Sequence, residues 1–169
     1  MAGQKYIANN AGNLTEVAAT QTSAGAADAG KIPALDAAGR LALQMMPVGI
    51  GADTATLTAS EALSAGDYVS VWNNAGTPSV RKADATAAGK EAHGFVLAAV
   101  ASSAAATVYF EGTNTAVTGQ TAGVVYLQTT AGQGGTAAPT GAGNVAQCIG
   151  FAVSATAVNF QSNRPIVLA

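Results

Sequence analysis

Asp67-Tyr68-Val69-Ser70-Val71-Trp72-Asn73-Asn74-Ala75-Gly76-Thr77-Pro78-Ser79-Val80-Arg81-Lys82 is the stretch from which the fold is read. Aromatic and β-branched residues suit a pleated strand, and they run up to Asn-Asn-Ala-Gly. Asn and Gly tolerate the positive φ of a tight hairpin turn. The chain then returns through residues 78–82. The same logic extends outward. Thr54-Ala55-Thr56-Leu57-Thr58 alternates, residues 94–100 form a continuous apolar strand, and further strands are expected over 106–110, 124–129, 146–153, 157–160 and 166–168. Strands recurring at short intervals between Gly-rich breaks predict an all-β fold, a small antiparallel β-barrel or sandwich, over residues 52–169. Residues 60–65 and 83–90 could each form one turn of helix, too short for an α/β fold.

Residues 1–51 read differently. Gln4-Lys5-Tyr6-Ile7-Ala8 and Leu14-Thr15-Glu16-Val17 flank Asn9-Asn10-Ala11-Gly12-Asn13, which predicts a hairpin. A second short unit places Asp36-Ala37-Ala38-Gly39 as a turn between Gly30-Lys31-Ile32-Pro33-Ala34-Leu35 and Arg40-Leu41. Pro33 has no N–H to donate, so its strand is expected at an edge or beside another chain. Residues 41–46 read as one helical turn before Pro47, and Val48-Gly49-Ile50-Gly51 as a hinge. Large side chains are too sparse here for a core, so the segment is expected to be an extended arm ordered against another surface. Its candidate contact residues are Tyr6, Ile7, Leu14, Val17, Ile32, Leu35, Leu41, Met45 and Met46.

Composition narrows the function. Seven Lys or Arg, nine Asp or Glu, one His and one Cys among 169 residues leave few groups for chemistry. Charged residues make up 9%, against about a quarter in an ordinary soluble domain. A net charge of −2 offers no basic field for nucleic acid or anionic lipid, so neither nucleic acid nor membrane is expected as a partner. No apolar run approaches a membrane span or opens the chain as a secretory signal. With Cys148 alone there is no internal disulfide framework, and synthesis in a cytosol is expected.

Each chemical possibility has a blander reading that fits better. His93 and Cys148 would need a third orienting group to make a nucleophile–base pair, and Cys148 sits in an apolar strand as a small hydrophobe. One His and one Cys do not make a zinc site. Asp84, Glu91 and Glu111 are the candidate carboxylates, but all lie by turns or strand ends, where solvation is their ordinary role. Ala131-Gly132-Gln133-Gly134-Gly135-Thr136 lacks the Lys-Ser/Thr of a phosphate loop and reads as a plain loop. Arg81-Lys82 is an isolated basic pair. Tyr68, Trp72, Phe95, Tyr109, Phe110, Tyr126, Phe151 and Phe160 could line a saccharide groove, but their strand positions favour core packing. No enzyme activity, cofactor or metal is expected.

Two sets of residues resemble tailed-bacteriophage virion proteins. One is Gly30 through Leu41 followed by Met46-Pro47. The other is Gly66-Asp67-Tyr68-Val69, Arg81-Lys82-Ala83, Gly94-Phe95-Val96, Tyr109-Phe110-Glu111-Gly112, Gly123 through Leu127 and Ile149-Gly150-Phe151-Ala152. The second set resembles the small β-barrel of capsid decoration (head cement) proteins. That resemblance implies a structural protein on the outer surface of an icosahedral head, bound to the major capsid protein as a homotrimer, with no catalytic residues. The same β module occurs in fibres and tails, so the alternative is a tail-fibre or receptor-binding module.

Overall fold

The computed structural model describes residues 4–46 and 51–169. The chain forms two units, Met1–Gly51 and Ala52–Ala169. Pro47 and most of the expected hinge at 48–51 lie outside the described residues.

The first unit is built on a hairpin. Strands β1 (Lys5–Asn10) and β2 (Asn13–Ala18) pair antiparallel from Lys5↔Ala18 to Asn10↔Asn13. Ala11 and Gly12 turn the chain with φ of 50° and 89°, and Asn9 Oδ1 accepts the Gly12 N–H at 2.9 Å. The second short unit supplies its turn but not its strands. Asp36 C=O accepts from Gly39 N–H, and its carboxylate accepts from Ala38 and Arg40 N–H groups at 2.8 and 2.9 Å. Pro33 makes only an isolated parallel bridge to Thr20. The bonds of that bridge come from its neighbours: Ile32 C=O accepts from Thr20 N–H at 3.0 Å, and Ala34 N–H donates to Thr20 C=O at 2.7 Å. The missing proline donor therefore costs nothing. Two short 3₁₀ turns, Gly25–Asp28 and Leu43–Met45, complete the unit; the second falls where one helical turn is expected.

The second unit is all-β. Strands β3 (Thr54–Ala59), β4 (Tyr68–Asn74), β5 (Thr77–Lys82), β6 (Gly94–Phe95) and β7 (Ala105–Tyr109) form a barrel in the order β3-β5-β4-β6-β7, with β7 pairing back onto β3. Directions cannot alternate all the way round a ring of five strands. One neighbouring pair must run parallel, and it is β3–β5, with Thr58↔Ser79 and Ala59↔Val80. The barrel is thus antiparallel except at that seam. A second sheet joins β8 (Gly112–Asn114), β9 (Gly123–Leu127), β10 (Gly134–Gly135), β12 (Cys148–Ser154) and β13 (Ala157–Phe160) in the order β10-β9-β12-β13-β8. Strands β11 (Val145–Ala146) and β14 (Ile166–Val167) pair separately.

The β4–β5 hairpin carries the same tip as the first unit. Ala75 and Gly76 have φ of 50° and 90°, and Asn73 Oδ1 accepts the Gly76 N–H at 2.7 Å. Two identical Asn-Asn-Ala-Gly tetrads thus make two identical turns.

Successive strand residues point to opposite faces, and β4 uses both. Val69 joins Ala59, Leu63, Val80, Val96, Ala106 and Val108 in one core. Tyr68 joins Phe95, Val125, Leu127, Ile149, Val158 and Phe160 in the other. There Phe95 stacks on Tyr109 and meets Phe160 edge-on, with centroids 5.4 and 5.6 Å apart. Gly150 is needed in this sheet: its φ is 137°, and a Cβ would stand 2.0 Å from the Asn159 carbonyl oxygen.

Four expectations are corrected. Residues 60–65 and 83–90 contain bends and turns, not helix; their backbone is spent on long-range bonds such as Leu63 N–H to Val100 C=O and Ala85 N–H to Gln128 C=O. The strand expected over 94–100 stops at Phe95, because Val96 and Val100 turn their N–H groups to Asp67 and Leu63. The strand expected over 146–153 breaks at Gln147, where β11 pairs with β14 and β12 with β9 and β13. The Gly-rich loop at 131–136 contributes β10, whose glycines leave room for Val125 and Gln128 against the backbone.

Candidate interaction surface

Cross-strand register sorts the arm residues. Tyr6 stands opposite Val17, and both are half-buried on one face of the hairpin. Ile7 and Leu14 share the other face, diagonal to each other, and are 64% and 77% exposed. Lys5 and Glu16 form an ion pair on that same face. Ile32 and Leu35 are exposed on either side of Ala34, the only fully buried residue among the described residues of this unit. Leu41 and Met46 are exposed, and Met45 is half-buried. The Leu35 carbonyl is held by Gln21 Nε2 at 2.9 Å, and Asp28 anchors its loop through Ala24 N–H and Lys31. Those contacts hold the Asp28 carboxyl below its ordinary range, the Ala24 N–H most of all. The unit therefore has polar ties between its segments, while Ile7, Leu14, Ile32, Leu35, Leu41 and Met46 face outward. Spacing identified these residues; only register shows which share a face.

The second unit adds an apolar patch that the sequence reading missed. Val124 and Phe151 are cross-strand partners on the outer face of the second sheet, and Val153 lies two residues on. All three are exposed, Phe151 at 45%. Of the other aromatics, Tyr68, Phe95 and Phe160 are core, while Trp72, Tyr109, Phe110 and Tyr126 are half-buried. Arg81 lies over the Trp72 ring at 4.6 Å and donates to Gly89 C=O at 2.6 Å.

The chemical candidates have structural partners. His93 accepts the Val71 N–H on Nδ1 at 3.0 Å, and its exposed ring borders a depression of about 390 Å³ with Glu91, Ser162 and Arg164. Cys148 is half-buried in β12. Both Glu91 oxygens accept the Gly89 N–H, at 3.0 and 2.9 Å, and Glu111 is exposed. Asp84 departs from expectation, being buried rather than solvated. Burial pushes its carboxyl up, but hydrogen bonds from the Thr86 hydroxyl and N–H, with Lys90 Nζ at 3.0 Å, outweigh it and leave the group below its ordinary range. Asp67, which is not among the candidate carboxylates of the sequence analysis, is also buried; it accepts Ser64 N–H at 2.7 Å and faces Lys82 Nζ at 3.4 Å. Among the described residues no group of three or more His, Cys, Asp or Glu is placed to hold a metal ion.

No protein-family model, curated protein or solved structure matches this chain.

Proposed function

We propose that the chain is a structural virion protein: a decoration protein on the outside of an icosahedral phage head, with residues 1–51 gripping the major capsid protein and neighbouring subunits. The observation that carries this reading is the outward set Ile7, Leu14, Ile32, Leu35 and Leu41 in a unit that buries almost nothing of its own. Full burial of such a side chain yields about 1.5–3 kcal/mol. These are roughly half exposed, so one arm gains on the order of 4–8 kcal/mol. Association costs about 4–15 kcal/mol in lost freedom. The two ranges overlap, so a single arm binds weakly, and linked arms share the cost by raising one another's effective concentration. That arithmetic favours several linked arms, and the resemblance to head decoration proteins supplies the number, a homotrimer.

The test is co-sedimentation with expanded heads stripped of the protein. Ile7→Lys and Leu14→Lys place charges at exposed positions on the face of Glu16, Ile7 directly opposite it, where a cation is compatible with the hairpin. Each is expected to weaken head binding at least about tenfold, a loss of 1.4 kcal/mol or more. Undiminished binding by both variants contradicts the arm's role.

A further inference from the structure

The barrel closes on a single residue pair along one seam. Phe110 N–H donates to Asp53 C=O, and Ala104 C=O accepts from Ala59 N–H, both at 2.9 Å. Backbone groups alternate sides along a strand, so those of Ala105 and Thr107 face away from β3. On that side β7 meets β6 only at Phe95↔Tyr109. Residues 97–101 then diverge, leaving a groove of about 400 Å³ walled by Leu97, Ala98, Ala99, Ala101, Ala105 and Thr107. No charged side chain lines it. Exposed edges are ordinarily protected by Lys, Pro or a bulge, yet Ala104-Ala105-Ala106-Thr107-Val108 has no such charge or proline.

A second bare edge lies in the same unit. Leu168 N–H donates to Asn144 C=O at 2.9 Å, and Leu168 C=O accepts from Gly143 N–H at 2.9 Å. By the same alternation, Val167 turns its N–H and C=O away from β11. Ile166 and Val167 are 65% and 57% exposed, and Ile166-Val167-Leu168-Ala169 carries no charged side chain.

We infer that these two edges meet between copies of the chain: β14 of one copy lies along β7 of the next. Val167 pairs its main chain with Thr107, and the large side chains of β14 fill the alanine-walled groove. Strand addition of this kind takes its affinity from main-chain bonds and its selectivity from what the groove admits. The occupant must be extended at an unpaired edge and free of charged side chains, and β14 meets each requirement. Two different patches make the contact heterologous, so it propagates head to tail and closes into a ring when the rotation permits. The inference rests on the homo-oligomeric part of the reading above; location on a phage head does not enter its test.

Sedimentation velocity of the full chain at micromolar concentrations is the first measurement, with an oligomer expected. Thr107→Pro removes the groove-side N–H and spares the bonds to β3. Val167→Lys places a charge at an exposed position. Each is expected to weaken association at least about tenfold, with the single-Trp fluorescence of the fold unchanged. In a Cys148→Ser background, Thr107→Cys chains mixed with Val167→Cys chains are expected to give a disulfide-linked mixed dimer under mild oxidation. A monomeric wild type, or an oligomer that survives Val167→Lys and yields no mixed dimer, overturns the inference.

Discussion

Gln147→Leu removes a polar side chain from the centre of the second unit while keeping its bulk. Gln147 is fully buried; its Oε1 accepts the Ala92 N–H at 2.8 Å. Its Nε2 donates to Ala92 C=O at 3.0 Å and Ser162 Oγ at 3.1 Å, with Asn163 C=O more distant at 3.3 Å. The amide thus joins the approach to β6 with the segment after β13. Leucine strands the Ala92 N–H, whose residue is itself fully buried, at about 1–3 kcal/mol. The Ala92 carbonyl keeps its bond from Ser162 Oγ at 2.9 Å, so the other losses add only about 1 kcal/mol. The expected cost is roughly 2–4 kcal/mol, or a Tm lower by about 8–16 °C for a unit of this size. Trp72 is the only tryptophan and lies in β4, so urea unfolding followed by its fluorescence reports on this unit. The midpoint is expected to fall with an unchanged slope. An unfolding free energy within about 0.5 kcal/mol of wild type refutes the argument that this amide holds the two segments together.

Further outcomes follow from single positions. Gly150→Ala combines a positive φ with a Cβ 2.0 Å from Asn159 C=O, and is expected to cost about 3–5 kcal/mol in the same assay. Ala75→Asn replaces an alanine held at φ 50° with a residue that tolerates that region, and is expected to stabilise by about 0.5–1 kcal/mol. The folded carboxyl of Asp84 lies below its ordinary 3.8. Its stabilisation is therefore present above that value and lost as pH falls through the lower folded one; Asp84→Asn is expected to flatten the acid limb of a urea midpoint against pH profile. Tyr68, with its phenol pushed up to about 12 mainly by burial, has the opposite sign. Its contribution is present below the unfolded value near 10 and lost as pH rises toward 12, so ultraviolet titration is expected to show one phenol ionising late.

The hairpins were legible because their information is local. Asn-Asn-Ala-Gly dictates a turn from four residues, and the aromatic and β-branched run from Tyr68 to Trp72 marks the strand beside it. What escaped the sequence depends on distant partners. Val96 and Val100 look like strand until Asp67 and Leu63 take their N–H groups. Gln147 looks like one more residue of a long strand, and only the fold shows Ala92 waiting for its amide. Strands as short as Gly134–Gly135 carry no pattern to read. The apolar residues of the arm were visible by spacing, whereas the sharing of one face by Ile7 and Leu14 needed the register. The exposed Phe151 was misjudged because alternation cannot say which face of a sheet is covered.

The most direct test of the central claim is immunogold labelling of intact phage particles carrying the chain, with an antibody raised against residues 52–169. Gold spread over the head is the result the account expects. Gold confined to the tail contradicts it, and would favour the fibre or receptor-binding alternative.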